Sequence, residues 1–417
     1  MSTAGTETSA TALSAEERTQ LMQSDAMEAF LNKASRVIER VLNTSSKYDI
    51  MIDYGADVEQ DSVVEEAIES LKQQLVFADE KWSKHRAVTD VDVSPFYPEL
   101  TLVASITEGV VLLWSTALPG RPEYRFTCHS QVTAACFNPF DRHMIIGGTY
   151  SGQIVIWDTR AKSAPVQKTA LSAFSHTHPI YAMAVAGTKT SYTLISASTD
   201  GRVCVWDIDH LQKPLDMLDL RISLSIKMEA SVTSFAVLGK EIKELFIGTE
   251  AGKLYSTKVD QQKNKPGAAD DISKEGSHFG PVTAMHFNPL LPMHRDSLLL
   301  TCSLDSTVKL WSIEHPDSPV LSFEPSSEYI SDVRWSSVHP ALFAVADSSG
   351  TVSIWNILKD VEVPAVSENI SKKSLNKVRW SADGRSVITG DADGKSFIYE
   401  VPADVRYLLH SCCPCSP

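Results

Sequence analysis

The sequence lacks the features that mark membrane-spanning, secreted and many catalytic proteins. No apolar run approaches the ~20 residues that a membrane-spanning helix needs. The first residues, MSTAGTETSATALS, have neither the basic start nor the hydrophobic core of a signal peptide. Phosphate-binding glycine loops, paired metal-ligand motifs and nucleophile elbows are also missing. We therefore expect a cytosolic or nuclear protein that is not an enzyme and has no cofactor, no metal and no catalytic residue.

Positive charge is scarce, above all near the N terminus. The chain has 52 Asp and Glu against 38 Lys and Arg, a net charge of −14. Residues 1–80 alone hold 16 acidic and 6 basic side chains, a net charge of −10. An acidic region of this kind repels nucleic acid and anionic membranes. We therefore expect no nucleic-acid partner and no direct membrane binding.

Cysteine is sparse, with 7 in 417 residues. Four stand singly at or near strand positions and are expected to be buried thiols: Cys128, Cys136, Cys204 and Cys302. The other three crowd the C terminus at Cys412, Cys413 and Cys415. Zinc binding or lipid attachment is an alternative for them, but no second ligand pair stands at zinc spacing. We expect residues 403–417 to be a disordered tail.

The chain does contain one repeated pattern, represented by DGRVCVWD at residues 200–207. A turn pair opens a strand of alternating apolar residues that ends on Trp-Asp. Equivalent anchors recur at intervals of 43–54 residues, at Trp114, Trp157, Trp206, Thr257, Trp311, Trp355 and Tyr399. This period and ending are typical of propellers built from four-stranded blades. We predict an all-β, seven-bladed WD-repeat β-propeller over residues 82–402, with the anchors on equivalent third strands.

A helical N-terminal arm, residues 14–80, is predicted to precede the propeller, after a disordered segment at residues 1–13. A capping box at Ser14–Glu17 starts a predicted helix over residues 14–42. Its apolar stripe, the predicted binding surface for a partner, comprises Met27, Phe30, Leu31, Ala34, Val37, Ile38 and Val41. The stripe could instead pack on the propeller wall. We prefer a partner, because a propeller has little free apolar wall.

The rest of the arm bears on how the ring closes. Residues 48–54 alternate like a strand, and residues 61–78 have the apolar spacing of a second helix. Blade seven has no obvious outer strand of its own after residue 401. We predict that residues 48–54 supply it, and keep residues 405–409 as the alternative donor.

Two blades share a set of polar residues that suggests a hydrogen-bond chain. The predicted members are His176, Ser198, Asp200 and Trp206 in blade three and His278, Ser303, Asp305 and Trp311 in blade five. A Ser-His-Asp set could also be a catalytic triad. A structural role is preferred, because the set recurs in register with the repeat and a buried indole N–H needs an acceptor. For the strands nearest the channel we expect Ala, Val, Thr and Gly rather than converging polar groups.

Several strings resemble the cytoplasmic dynein intermediate chains, a WD-repeat family. They are residues 13–42, YDIMIDY at 48–54, EKWSKHR at 80–86, GGTYSGQIV at 147–155, HTHP at 176–179 and VHPALF at 338–343. The resemblance implies a non-catalytic subunit whose propeller binds the dynein heavy chain. It also implies that the helix over residues 14–42 binds a Roadblock-type light chain, and that the light-chain dimer brings in a second copy of the chain. The implied location is cytoplasmic, on the microtubule cytoskeleton, in minus-end-directed transport.

The sequence departs from this family at both ends. It has no long N-terminal region of the kind that binds dynactin-type regulators, so regulator binding is not implied, and its tail after Pro402 is unlike the family. One alternative stays open. Trp157-Asp158-Thr159-Arg160 is similar to the motif by which substrate receptors of cullin-based ubiquitin ligases dock to their adaptor, although a salt bridge from Arg160 to Asp158 also explains it.

Overall fold

The computed structural model describes residues 70–107, 109–170, 172, 174–220, 231–238, 244–258, 270–291 and 297–406, and five positions in the arm. The chain divides into two compact units, Met1–Val64 and Glu65–Pro417. Within the described residues, no helix is long and apolar enough to cross a membrane.

The larger unit is a β-propeller of seven four-stranded antiparallel sheets, which confirms the predicted fold. The first strand along the chain, β1 (Lys72–Phe77), belongs to the last blade. Blade one is formed by β2 (Val88–Val93), β3 (Leu100–Ser105), β4 (Val110–Ser115) and β5 (Tyr124–Thr127). Blade two is formed by β6 (Val132–Phe137), β7 (Met144–Thr149), β8 (Ile154–Asp158) and β9 (Gln167–Lys168). Blade three is formed by β10 (Ile180–Thr188), β11 (Ser191–Ser198), β12 (Arg202–Trp206) and β13 (Asp216–Asp219).

The remaining blades follow the same order from the channel outward. Blade four is formed by β14 (Val232–Val237), β15 (Glu244–Thr249), β16 (Leu254–Lys258) and β17 (Asp270–Asp271), and blade five by β18 (Val282–Phe287), β19 (Leu298–Ser303), β20 (Val308–Ser312) and β21 (Leu321–Phe323). Blade six is formed by β22 (Ile330–Trp335), β23 (Leu342–Asp347), β24 (Thr351–Asn356) and β25 (Val366–Asn369). Blade seven is formed by β26 (Leu375–Trp380), β27 (Ser386–Asp391) and β28 (Ser396–Glu400), with β1 as its outer strand. A short helix, α1 (Ala403–Arg406), follows β28, so the expectation of a disordered tail over residues 403–417 is wrong for residues 403–406.

The seven anchors all lie on third strands, as predicted. The five tryptophans are buried on β4, β8, β12, β20 and β24, while Thr257 lies on β16 and Tyr399 on β28. Each indole packs among the apolar side chains of its own blade and a neighbouring blade, so the repeated tryptophan links consecutive sheets through the core. The pattern in the sequence therefore marks the same place in every blade.

The outer strand of blade seven does come from the N-terminal side, but not from the predicted segment. β1 pairs antiparallel with β28, with Phe77 opposite Ser396 and Lys72 opposite Glu400. The prediction of a helix over residues 61–78 is therefore wrong for residues 72–77. The propeller also begins earlier than the predicted residue 82. Residues 48–54 lie outside the described part of the chain, and their predicted place in blade seven is taken by β1.

The β1 strand forms because blade seven offers it both hydrogen bonds and a core. Phe77 is buried and stacks on Trp114, with ring centroids 5.2 Å apart. The hydroxyl of Tyr399 donates to Oε1 of Gln73 at 3.1 Å. The ring is thus closed by a segment that precedes the first blade, which hides the free edge of β28.

Neighbouring blades are also joined by one hydrogen bond near the start of each inner strand. At six of the seven junctions a side chain lies 2.5–3.0 Å from the first inner-strand carbonyl oxygen of the next blade. The donors are Thr89, Thr133, Thr233, Thr283, Ser331 and Asn376. Blade three carries Tyr181 at this position, and its side chain is exposed. The junction between blades three and four therefore lacks this bond.

Two of the four single cysteines are buried as expected, and two are not. Burial raises the pKa of the Cys204 thiol and of the Cys302 thiol to about 12. Cys128 and Cys136 are only partly buried. The three C-terminal cysteines lie outside the described residues.

Candidate functional site

A buried hydrogen-bond chain runs through blade three from the core tryptophan to the loop before the inner strand. The indole Nε1 of Trp206 donates to Oγ of Ser196 at 2.8 Å, and the same oxygen lies 2.8 Å from Nε2 of His176. Nδ1 of His176 lies 3.4 Å from Asp200. A serine that accepts from the indole and donates to Nε2 leaves the proton on Nδ1, where it faces the carboxylate.

Blade five repeats the arrangement with a threonine. Nε1 of Trp311 donates to Oγ1 of Thr301 at 2.9 Å, and Nε2 of His278 lies 2.8 Å from that oxygen. Nδ1 of His278 lies 3.0 Å from Asp305. Burial lowers the pKa of His278, and the carboxylate of Asp305 only partly offsets this effect. Burial alone would raise the pKa of Asp305, but the hydrogen bonds from His278, Thr307 and the N–H of Phe279 help to hold it below its usual value.

The predicted serines are not the links in these chains. Ser198 instead donates to the carbonyl oxygen of His178 at 3.0 Å, and Ser303 accepts from the backbone N–H of Asp305 at 3.2 Å. The links, Ser196 and Thr301, were missed. Each stands ten residues before its tryptophan, on the neighbouring strand. It lies two residues after the one that pairs directly with the tryptophan, so it sits diagonally across from the indole. That spacing, repeated in both blades, is the signal that could have identified them.

The hydroxyl groups of both chains serve the core. Ser196 and Thr301 are completely buried, and each already accepts a hydrogen bond from a tryptophan. A nucleophile must reach a substrate, whereas these oxygens are enclosed. In blade two the equivalent residue is Gly147, and the indole N–H of Trp157 has no acceptor among the described residues. The chains therefore stabilise individual blades.

A second polar cluster lies on the inner strands, where the sequence predicts only small and apolar residues. The guanidinium of Arg379 donates from Nη1 to Oδ2 of Asp332 at 2.9 Å and from Nη2 to Oδ1 of Asp90 at 3.1 Å. These residues belong to blades seven, six and one. The expectation of an unremarkable apolar channel is wrong on this side, because alternate residues of β2, β22 and β26 are charged.

The acidic members of the cluster also accept hydrogen bonds from backbone N–H groups of the next inner strand, on the edge that faces the channel. Asp90 accepts the N–H of Ala135 at 3.1 Å, and Asp332 accepts that of Val378 at 3.1 Å. Burial alone would raise the pKa of Asp332, but the charges of Lys377 and Arg334 outweigh it and hold the pKa below its usual value. The cluster thus pairs backbone groups that no further strand can reach.

Two other side chains do the same job without a strong ion pair. Asp92 accepts the N–H of Phe137 at 2.8 Å, and burial raises the pKa of Asp92 to about 6, with Arg379 opposing the shift. Nδ1 of His286 accepts the N–H of Trp335 at 3.1 Å. Burial and the nearby Arg334 keep the pKa of His286 well below its usual value, so the ring is neutral and can accept this bond.

Four of the seven predicted stripe residues are described, and all four are helical. Phe30 is 62% exposed and Leu31 is 52% exposed, while Met27 and Ala34 are partly exposed. Val37, Ile38 and Val41 lie outside the described residues. Two large apolar side chains are therefore open to solvent on the arm.

Arg160, which carried the ubiquitin-ligase alternative, is paired with its neighbour. Its Nη2 lies 2.7 Å from Oδ2 of Asp158, and its Nε lies 3.1 Å from Oδ1. The hydrogen bond from Arg160 outweighs partial burial and lowers the pKa of Asp158. The Arg160 side chain is also 64% exposed. The local salt bridge accounts for this arginine without an adaptor.

Comparison with known proteins finds similarity to dynein intermediate chains and to WD repeats. Residues 99–189 match the family model "Dynein axonemal intermediate chain 3 WD40 domain", and residues 272–312 match "WD domain, G-beta repeat". Over 403 residues the chain is 39% identical to the cytoplasmic dynein 1 intermediate chain of Drosophila melanogaster. The chain is a relative of the dynein intermediate chains. The aligned region covers 93% of this chain but 59% of the Drosophila protein.

Proposed function

We propose that the chain is a non-catalytic dynein subunit that links the heavy-chain tail to a Roadblock-type light chain. The propeller contacts the heavy chain, and the helix over residues 14–42 contacts the light chain. The light-chain dimer brings a second copy of the chain into the complex. The complex works in the cytoplasm, on microtubules, in minus-end-directed transport.

The observation that carries this proposal is the extent of the similarity to the Drosophila intermediate chain. The described propeller spans residues 72–406, whereas the alignment covers 93% of the chain. An alignment of that length must include part of the arm as well as the propeller. A propeller shared with many unrelated proteins would not extend the similarity into the arm.

Exposed Phe30 and Leu31 support the light-chain part of the proposal. Both are large apolar side chains on a helix, and more than half of each is exposed. An amphipathic helix with such a stripe binds its partner through apolar anchors spaced along one face. Burying two side chains of this size contributes roughly 1.5–3 kcal/mol each.

Co-purification tests this part directly. The full chain is expressed together with a Roadblock-type light chain, either unchanged or with Phe30→Asp and Leu31→Asp. We expect the double variant to lose the light chain and to keep the unfolding temperature of the propeller. Leu358→Asp with Val363→Asp is the matched control, because these residues are equally apolar and exposed but lie on the propeller. Retention of the light chain by the arm variant would contradict the proposal.

We place the heavy-chain contact on the loops of the propeller. The turns between second and third strands and the loops into inner strands share one face, because the strands alternate in direction. Exposed apolar side chains on that face include Tyr150, Phe279 and Tyr329. Cross-linking of the assembled complex should map heavy-chain contacts to propeller loops. Contacts confined to residues 1–80, or capture of a cullin adaptor that is lost with Arg160→Ala, would overturn this placement.

A further inference from the structure

The channel enclosed by the inner strands contains a cavity of about 460 Å³. Its wall is formed by the inner strands of blade one and blades three to seven. The charged residues that line it are Arg334, Lys377, Arg379 and Asp90, three basic side chains against one acidic. Asp92 and Asp332 lie on the same inner strands, so the excess of positive charge is confined to the side chains that line the cavity.

Two of the three basic side chains, Arg334 and Lys377, are held less tightly by carboxylates than the third. Arg379 is held between two aspartates, as described above. The Nε of Arg334, in contrast, is buried without a hydrogen-bond acceptor, and its closest carboxylate oxygen is Oδ1 of Asp332 at 3.7 Å. Lys377 makes no ion pair within 4.0 Å with any carboxylate of the described residues. Their charges offset that of Asp332, but neither donates a hydrogen bond to a carboxylate of the described residues, so their N–H groups can still bind an anion.

The opposite wall of the cavity presents backbone N–H groups. In blade two the N–H of Ala135 is accepted by Asp90 of blade one, and in blade seven the N–H of Val378 is accepted by Asp332 of blade six. Both donors stand three residues after the first residue of their inner strand. The strand register places Met183, Phe235 and Met285 at this same position in blades three to five. The preceding blades carry Ala134, Ala182 and Ser234 where an aspartate would be needed. These three residues line the cavity, and their N–H groups have no side-chain acceptor among the residues that the structure describes.

We propose that this cavity binds a small, multiply charged phosphate anion. Guanidinium, ammonium and convergent backbone N–H groups are the donors that recognise phosphate oxygens. A volume of about 460 Å³ falls within the range of ordinary small-ligand pockets. The ligand would supply the acceptors that Arg334 and the three N–H groups lack. The site is separate from the dynein interfaces proposed above, so either proposal can fail without the other.

Titration calorimetry on the full chain with pyrophosphate as the probe tests the site. We expect one pyrophosphate to bind per chain, and Arg334→Gln and Lys377→Gln each to weaken binding at least tenfold. Arg334→Lys should restore part of the affinity because it keeps the charge. Lys373→Gln is the matched control, since Lys373 is an exposed cation on the same blade. No binding by the wild-type chain, or equal weakening by the control, would overturn the proposal.

Hydrogen exchange on the wild-type chain gives a second readout that depends on no variant. Peptides that contain Met183, Phe235 and Met285 should exchange several-fold more slowly when pyrophosphate is present. Peptides from the outer strands, such as residues 124–127, should be unaffected. Unchanged exchange at all three positions under saturating pyrophosphate would rule out binding in the channel, even where a variant proves too unstable for calorimetry.

Discussion

The guanidinium of Arg379 lies 3.1 Å from Oδ1 of Asp90, and this contact joins the last blade to the first. The other end of the same guanidinium binds Asp332 of blade six. Asp332 is fully buried, and the charges of Lys377, Arg334 and Arg379 together hold its pKa below its usual value. The ring is therefore closed at this seam by β1 at its outer edge and by Arg379 at the channel, beside the hydrogen bond from Asn376 to the carbonyl oxygen of Val88.

Replacing Arg379 with Met should strongly destabilise the propeller. Removal of one partner from a buried ion pair leaves an uncompensated charge and costs about 3–5 kcal/mol. Urea denaturation of the full chain measures this loss. Arg385→Met is the control, because its pair with Asp383 is 3.8 Å long and exposed, and pairs of that kind contribute less than about 1 kcal/mol. Similar costs for both variants would show that Arg379 is not a closure residue.

Asp92 should make the propeller less stable as the pH rises from about 4 to about 6. Its pKa is raised to about 6 by burial, so the folded chain binds this proton more tightly than the unfolded chain. Stability from this group is present in acid and lost as the pH rises through the folded pKa, by about 3 kcal/mol at most.

The test is Asp92→Asn, which removes the titration but keeps an oxygen that can accept the N–H of Phe137. The difference in the free energy of unfolding, variant minus wild type, should become more positive as the pH rises from 4.5 to 7.5. Exposed Asp209→Asn serves as the control and should follow the wild-type curve. A variant that also follows the wild-type curve would refute the role of Asp92.

Two N-terminal deletions should separate the arm from the closing strand. Removal of residues 1–69 leaves β1 in place, so the unfolding temperature of the propeller should be preserved. Removal of residues 1–78 takes away β1, exposes the edge of β28 and removes Phe77 from its contact with Trp114. Loss of the phenyl ring alone costs roughly 3–5 kcal/mol. Equal melting of the two truncated chains would contradict closure by β1.

Ser196→Ala should cost more stability than Ser198→Ala, although the two residues share one face of β11. The first variant leaves the indole N–H of Trp206 and Nε2 of His176 without a hydrogen-bond partner, at about 1–3 kcal/mol for each, whereas Nδ1 of His176 keeps Asp200. The second variant loses the bond to the carbonyl oxygen of His178 and a longer one, 3.4 Å, from the N–H of Asp200, about 1 kcal/mol for each at most. Paired urea denaturation curves decide between them. The reverse order would restore Ser198 as the link.

The repeat itself could be predicted from the sequence because its signal is local. A turn pair, an alternating strand and a terminal Trp occur within eight residues, and each copy reports its own blade without reference to any other. Strand alternation and turn chemistry are properties of neighbouring residues, so they survive in the sequence alone.

The link in each hydrogen-bond chain required the strand register. Ser196 and Ser198 are both small, polar and on the same side of β11, so composition does not separate them. Pairing of Leu194 with Trp206 places the indole diagonally over Ser196. A shift of two residues would have selected Ser198, and that shift is set by pairing across strands rather than by either segment alone.

The sequence by itself determined the number of blades and the place of each anchor, whereas the tertiary structure decided what closes the ring. Leu71 and Leu75 are spaced as on a helix, yet residues 72–77 form a strand because the free edge of β28 offers them a hydrogen-bond ladder. Arg379 and Asp90 are 289 residues apart, and only the curvature of seven packed sheets brings them within 3.1 Å. Contacts of this kind depend on the closed ring, because no local sequence preference specifies the partner at the far end of the chain.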